Sequence, residues 1–155
     1  MQEGSPMKLT QFNIALENRH GRLFEVARIL GDAGINIRAL NLVDTGAFGQ
    51  LRILVSDVAA TRRLLMEKVL PAREDEVVAV EMPDRPGSLA QVLEPLYSSN
   101  VSVIYSYAYV GMSAFNAVMI FRFSDNDRAI EILQQHGVKL LDPEAFGIIE
   151  AGNAS

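Results

Sequence analysis

The stretch "MPDRPGSLA", Met82–Ala90, sets an acid, a proline and a glycine directly before an apolar-periodic run. Gly87 lets backbone approach a ligand with no Cβ in the way. The first N–H groups of the helix that follows lack intrahelical acceptors and can hold a carboxylate. Asp84 can accept from an ammonium group. A small molecule carrying both charges, an amino acid, suits that pair. A strand-to-helix turn that binds nothing uses the same residue types, so one such turn decides little. A second, "ENRHGRL" at Glu17–Leu23, has Asn18, His20 and Gly21 in the corresponding places.

Other chemistry is scarce. The 155 residues include two histidines, His20 and His136, and no cysteine. Disulfides, thiolate zinc sites, iron–sulfur ligation and Cys nucleophiles are thereby removed. No HExxH, GxSxG, P-loop or GxGxxG motif is present, and no acids have EF-hand spacing. The acids Glu74–Glu76 read as a solvated charge run, and neither metal nor cofactor is expected. A net charge of −5 disfavours a nucleic-acid surface and a polybasic membrane patch. There is no eighteen-residue apolar run and no basic, then apolar, leader at the N-terminus. A cytoplasmic chain without nucleic-acid or membrane partners is expected. Tyr105, Tyr107 and Tyr109 alternate along one segment, so a strand would put them on one face. They read as a packing stripe; a base-stacking platform is the sharper alternative, which the acidic balance opposes.

The elements that must hold the two turns are duplicated. Gly21 and Gly87 lie 87 − 21 = 66 residues apart, and at that offset Asn18 matches Asp84, Leu23 matches Leu89, Val26 matches Val92 and Ile37 matches Val103. "LVSD" at Leu54–Asp57 matches "RFSD" at Arg122–Asp125 at an offset of 125 − 57 = 68, so the second copy gains two residues between its second and third strands. In the first copy, Leu9–Leu16 reads as a strand. Leu23, Val26, Ile29 and Leu30 then mark one face of a helix, and Gly34 suits its C-terminus. Ile35–Val43 and "QLRILVS" read as strands around the turn "DTGAFG". Asp57 is a plausible N-cap of a second helix, with Val58, Leu65 and Val69 toward a core. In the second copy, strands are expected at Val77–Met82, Val101–Val110, Phe115–Phe123 and Val138–Leu141, and helices at Ser88–Ser98 and Asn126–His136. Pro71 demotes the last strand of the first copy to an edge or a loop. The result is an α+β chain of two ferredoxin-like βαββαβ repeats, each an antiparallel sheet with its helices on one face. The expected division is an extension at 1–7, domains at 8–74 and 75–147, and a tail at 148–155. Face-to-face and side-by-side packing of the repeats both remain open.

"DRPGSLAQVLEPLYSSNVSV" (Asp84–Val103) and "NRHGRLFEVARILGDAGINIRAL" (Asn18–Leu40) resemble the ACT-domain signature, Asp-x-Pro-Gly-x-Leu, an apolar helix, then a strand beginning Ile-Asn-Ile. The resemblance covers nearly the whole chain as two tandem copies. It implies a regulatory module that binds an amino acid or similar metabolite where ACT units meet. The implied ligand residues are Asn18, His20, Gly21, Leu23, Asn36 and Ile37 in the first copy. In the second they are Asp84, Pro86, Gly87, Leu89, Ser102 and Val103. Asn18 replaces the usual acid and His20 the usual proline, which weakens ammonium binding in the first copy. Asn100 and Ser102 replace Gly and Asn in the second. The repeats consume the chain, so a regulatory role implies a partner protein or a sensor that works by a change of oligomer. A homodimer is also expected, because a single sheet of this type leaves a face and edges to cover. Two other readings stand beside this one: an assembly module without ligand, and an acylphosphatase-like hydrolase using Arg22 with Asn36 or Asn41.

Overall fold

The computed structural model describes residues 6–109 and 115–150. Most of the expected extension and tail lie outside that range, as does the expected strand end at Val110. In chain order the elements are β1 (Lys8–Glu17), α1 (Arg22–Asp32), β2 (Ile37–Asp44), β3 (Phe48–Val55), α2 (Val58–Glu67), β4 (Ala72–Pro83), α3 (Ser88–Ser98), β5 (Val103–Tyr109), β6 (Asn116–Phe123), α4 (Asn126–Gln135) and β7 (Lys139–Leu141), followed by a 3-10 turn at Glu144–Phe146. This is βαββαβ twice over with β4 shared, its first residues closing the first repeat and the rest opening the second. Two compact units result, and neither is contiguous in sequence. The first takes Thr10–Asp75 with residues 143–150; the second takes residues 6–9 with Glu76–Asp142.

In the first unit β3 lies between β2 and β1, antiparallel to both. Phe12 and Leu40 both sit opposite Ile53, and Ile14 and Leu42 both sit opposite Leu51, so one apolar face runs across three strands. α1 buries Val26 and Leu30, and α2 buries Val58, Thr61 and Leu65. Val69, expected toward the core, is 84% exposed. α2 has ended at Glu67, and the left-handed backbone at Val69 turns the side chain out of the helical series. The alternate face of β1 is polar yet buried: Gln11 Nε2 donates to Asn13 Oδ1 (2.8 Å), and Asn13 Nδ2 donates to Asp75 Oδ2 (2.6 Å). Buried polar groups need such partners. The run Glu74–Glu76 is therefore not a solvated run throughout. It begins β4, whose alternation buries Asp75 and leaves Glu74 and Glu76 exposed. Pro71 only precedes this strand, so the segment expected as an edge or loop is regular from Ala72 onward.

Residues 143–150 complete the first unit. Phe146 and Ile148 are buried, Arg38 Nε donates to the Phe146 carbonyl (2.7 Å), and the Ile149 backbone pairs with Ser56 (2.8 Å) and Val58 (2.9 Å).

The second unit orders its strands β5-β6-β4-β7, all antiparallel. Val78, Val80 and Met82 of β4 pack with Phe121 and Phe123 of β6 and with Val92, Leu96, Ile130 and Leu133 of the two helices. Asn126 stitches this core's rim, accepting from the Phe123 N–H (2.9 Å) and donating to the Glu76 carbonyl (2.8 Å). Asp57 and Asp125 cap their helices identically, each accepting at 3.0 Å from the residue three further on. The changed offset is also visible. Ser56 N–H donates to the Asn36 carbonyl as Ser124 N–H does to that of Ser102, both at 2.8 Å. Since 102 − 36 = 66 and 124 − 56 = 68, the two added residues lie in the β5–β6 hairpin.

Candidate functional site

The two strand-to-helix turns are geometric copies. Asn18 N–H donates to Ala47 O (3.4 Å), and Asp84 N–H donates to Phe115 O (3.0 Å). Arg19 N–H closes on Glu17 O (2.8 Å), and Arg85 N–H on Pro83 O (3.0 Å). Gly21 has φ 82° and Gly87 φ 86°, values that favour glycine, and each precedes the first helical residue. Neither helix receives a side-chain cap. The first helical bonds, Glu25 N–H to Gly21 O and Gln91 N–H to Gly87 O, are both 3.0 Å. Arg22 N–H is bound to Arg19 O (3.4 Å) and Ser88 N–H to Arg85 O (3.2 Å), so the N–H groups left for water or a ligand are those of Leu23 and Phe24 and of Leu89 and Ala90.

At the first turn these groups border a pocket of about 520 Å³. Its apolar wall is Leu16, Leu23, Phe24 and Leu42; its polar rim includes Glu17, Asn18, Arg19, Arg22 and Asp44. Gly49 sits opposite Leu16 in the β1–β3 ladder, where a Cβ would come within 3.4 Å of Leu42 Cδ1. Its missing side chain keeps the pocket open. Arg22 is mostly buried, and its Nη1 donates to Glu25 (3.0 Å). Its Nε is buried and has no hydrogen-bond partner among the described residues. Arg19 adds two bonds to Glu25 and one to Glu17, all at 3.2 Å. The Arg22 and then the Arg19 hydrogen bonds hold the Glu25 carboxyl below the usual carboxylate range. Asn18 Nδ2 is engaged with Gly46 O (3.1 Å), which leaves Oδ1 to accept.

Of the expected residues in the first copy, Asn18, Gly21 and Leu23 line this pocket. His20 is exposed in the turn and is not part of the lining. Asn36 and Ile37 lie elsewhere: the Asn36 backbone is bound to Ser56, with its N–H on Ser56 Oγ (2.9 Å), and Ile37 starts β2 half-buried. In the second copy Asp84, Pro86, Gly87, Leu89, Ser102 and Val103 are all exposed, and the Ser102 N–H is bound to Ser124 Oγ (2.9 Å). At the repeat offsets Leu42, Val43 and Gly49 of the first pocket correspond to Ala108, Tyr109 and Ala117, whereas Asp44 corresponds to Val110, which is outside the described residues. Arg22 lines the first pocket whereas Asn36 and Asn41 do not, and Asn41 Oδ1 accepts from Arg52 (3.4 Å). Tyr107 is buried with Tyr105 and Tyr109 half-buried, while Ser106 and Ala108 between them are exposed. The tyrosines thus share a largely covered face rather than an open stacking surface. Sequence reasoning did not find Phe24, Leu42, Asp44 or Gly49. The hairpin that brings the last three to the turn has no motif of its own.

A family model described as an ACT domain pair matches residues 7–147. No curated protein matches the chain. Among solved structures, protein BT0572 from Bacteroides thetaiotaomicron is 33% identical with a TM-score of 0.87, over 94% of this chain and 100% of that one. The aspartokinase alpha and beta subunits are 14% identical with a TM-score of 0.57, over 84% of this chain and 93% of that one. The ligand-free regulatory subunit of aspartate kinase from Thermus thermophilus is also 14% identical, with a TM-score of 0.54, over 81% of this chain and 91% of that one. These last two likenesses concern the fold. No described helix is long and apolar enough to cross a membrane.

Proposed function

The chain belongs to the ACT domain pair family, and from that membership we propose that it is a non-catalytic regulatory protein binding an amino acid in the pocket of the first turn. The observation that carries this reading is Arg22 Nε, buried at the pocket wall with no hydrogen-bond partner among the described residues. A ligand carboxylate there meets Arg22 and the uncapped N–H groups at the start of α1, which favour an anion. The ligand ammonium meets Asn18 Oδ1. Asp44, which also lines the pocket, supplies the negative charge that Asn18 lacks. Leu16, Leu23, Phe24 and Leu42 then face the ligand side chain, which favours an apolar amino acid. The second turn is the matching site of the second unit, where Asp84 supplies its own charge. As a sensor in the cytoplasm the chain works as a homodimer and through a separate protein.

Thermal unfolding of the full chain with each common amino acid tests the reading. A ligand at a hundred times its dissociation constant adds about 2.7 kcal/mol. An apolar amino acid is expected to raise the midpoint and to lose that effect in Arg22→Ala. A folded chain that responds to none of them sinks the proposal.

A further inference from the structure

The second unit contains a cavity of about 430 Å³ beside its strand-to-helix turn, lined by Met82, Pro83 and Ser88 but not by Asp84, Pro86, Gly87 or Leu89. It lies between α3, the end of β4 and the segment that joins α4 to β7. Such a volume is within the range of small-molecule sites. Ser88, the first residue of α3, lines it; the residue is 5% exposed, and its Oγ is buried with no hydrogen-bond partner among the described residues. A buried hydroxyl without a partner is unusual. One turn on, a second group is released. Pro95, inside α3 and also on the cavity wall, has no N–H, so the Gln91 carbonyl loses its i+4 donor. Across the cavity, the His136 Nδ1 is committed to the Ile132 carbonyl (2.9 Å). As a donor at Nδ1 the neutral ring presents Nε2 as an acceptor. Asn116 adds a carboxamide, and Met82, Val92 and Val138 add apolar surface.

The charge here is self-cancelling. Lys139 and Glu81, on the rim, form an ion pair of 3.1 Å. What remains is a hydroxyl, acceptors and carboxamides over an apolar wall. We propose that this cavity is a second ligand site for an uncharged small molecule with an amide edge, an N–H beside a C=O, on an apolar body. A carboxamide and a nucleobase share that edge. Ser88 Oγ donates to the ligand carbonyl, and the Gln91 carbonyl or His136 Nε2 accepts from its N–H. The site is private to the second unit. At the repeat offset of 66, Ser88 corresponds to Arg22, Gln91 to Glu25 and Pro95 to Ile29, so the first unit has neither the short hydroxyl nor the released carbonyl.

Nuclear magnetic resonance of the full chain tests this with nicotinamide as the carboxamide probe, thymine as the nucleobase probe and leucine as the zwitterionic control. Saturable shifts of the Ser88, Gln91 and His136 signals with nicotinamide or thymine at about 1 mM are expected, and which probe acts identifies the source. Gln91→Trp, at an exposed position, fills the cavity and abolishes those shifts. Ser88→Ala weakens binding about tenfold, yet raises the unfolding midpoint of the free chain by about 2–4 °C because no bond is lost. The proposal is overturned if neither probe shifts these signals, if the shifts persist in Gln91→Trp, if leucine alone produces them, or if Ser88→Ala lowers the midpoint of the free chain.

Discussion

Val69 follows α2 with φ 54°, in the left-handed region, and is 84% exposed, so burial does not compensate for its conformation. The backbone around it is held in place: Val69 N–H donates to Met66 O (3.1 Å) and Leu70 N–H to Leu65 O (2.9 Å). At the offset of 137 − 69 = 68 the second repeat has Gly137, at φ 72°. Its bonds match, with Gly137 N–H on Gln134 O (3.1 Å) and Val138 N–H on Leu133 O (3.0 Å). One repeat uses glycine where the other forces a β-branched residue into the same shape. The left-handed conformation costs an L-residue about 1–2 kcal/mol, toward the upper end for a β-branched side chain. Val69→Gly removes that cost but loosens the unfolded chain, which takes back roughly 0.5–1 kcal/mol. The net expectation is stabilisation by about 1 kcal/mol, or about 2–4 °C in Tm for a chain of this length. Urea unfolding should show a higher midpoint with an unchanged slope. Gly137→Val should lower the midpoint by a similar amount. Nothing lies within 4 Å of where its Cβ would be, so no clash confuses the comparison. A lower midpoint for Val69→Gly, or an unchanged one for Gly137→Val, would refute the reasoning.

Three further outcomes are expected. Asn18→Asp adds the missing charge beside the first pocket and should tighten amino-acid binding about tenfold by calorimetry; weaker binding would place the ammonium elsewhere. Phe146→Ala empties a fully buried site in the first unit and should cost about 3–5 kcal/mol in urea unfolding; a change within error would mean that residues 143–150 do not complete that unit. Arg62 donates to both Glu74 oxygens, at 2.6 and 2.7 Å, and this hydrogen bonding holds the Glu74 carboxyl below its ordinary 4.5. Because the folded value is depressed, the pair's contribution is present above 4.5 and disappears as pH falls through that lower value. In Arg62→Ala, carbon-detected titration should find Glu74 back near 4.5, and the stability gap between the two proteins should close in that acidic window; identical titration in both would rule the pair out as the cause.

What local patterns encode was legible in the sequence. The helix-face spacing of Val26 and Leu30, the Asp57 cap, the left-handed Gly34 and the duplicated glycine turns all follow from contacts within a few residues. Asn100 illustrates the same rule from the other side. It replaces the glycine at the corresponding place and adopts φ 58° itself, which asparagine tolerates better than other side chains. Long-range partners were not legible. Asp75 looks like one acid in a charged run, yet it is buried and accepts from Asn13, 62 residues earlier. Asp44 and Gly49 reach the first turn because β2 and β3 pair in one register. Nothing in "DTGAFG" announces that they line a pocket with Arg22. Residues 143–147 read as the end of the second repeat and 148–150 as part of a tail, and contacts with Arg38, Ser56 and Val58 tie them to the first unit.

That last contact sets an order of events during synthesis. A ribosome releases the first repeat's strands and helices early, yet Phe146 and Ile149 emerge only after the whole second repeat. Until then, the slot that Phe146 fills stays open to water, and the Arg38 guanidinium lacks its carbonyl. The second repeat can reach its final packing before the first, even though it is made later. Domains usually finish in the order in which they are translated; here the earlier one is left waiting for a clasp made after the later one.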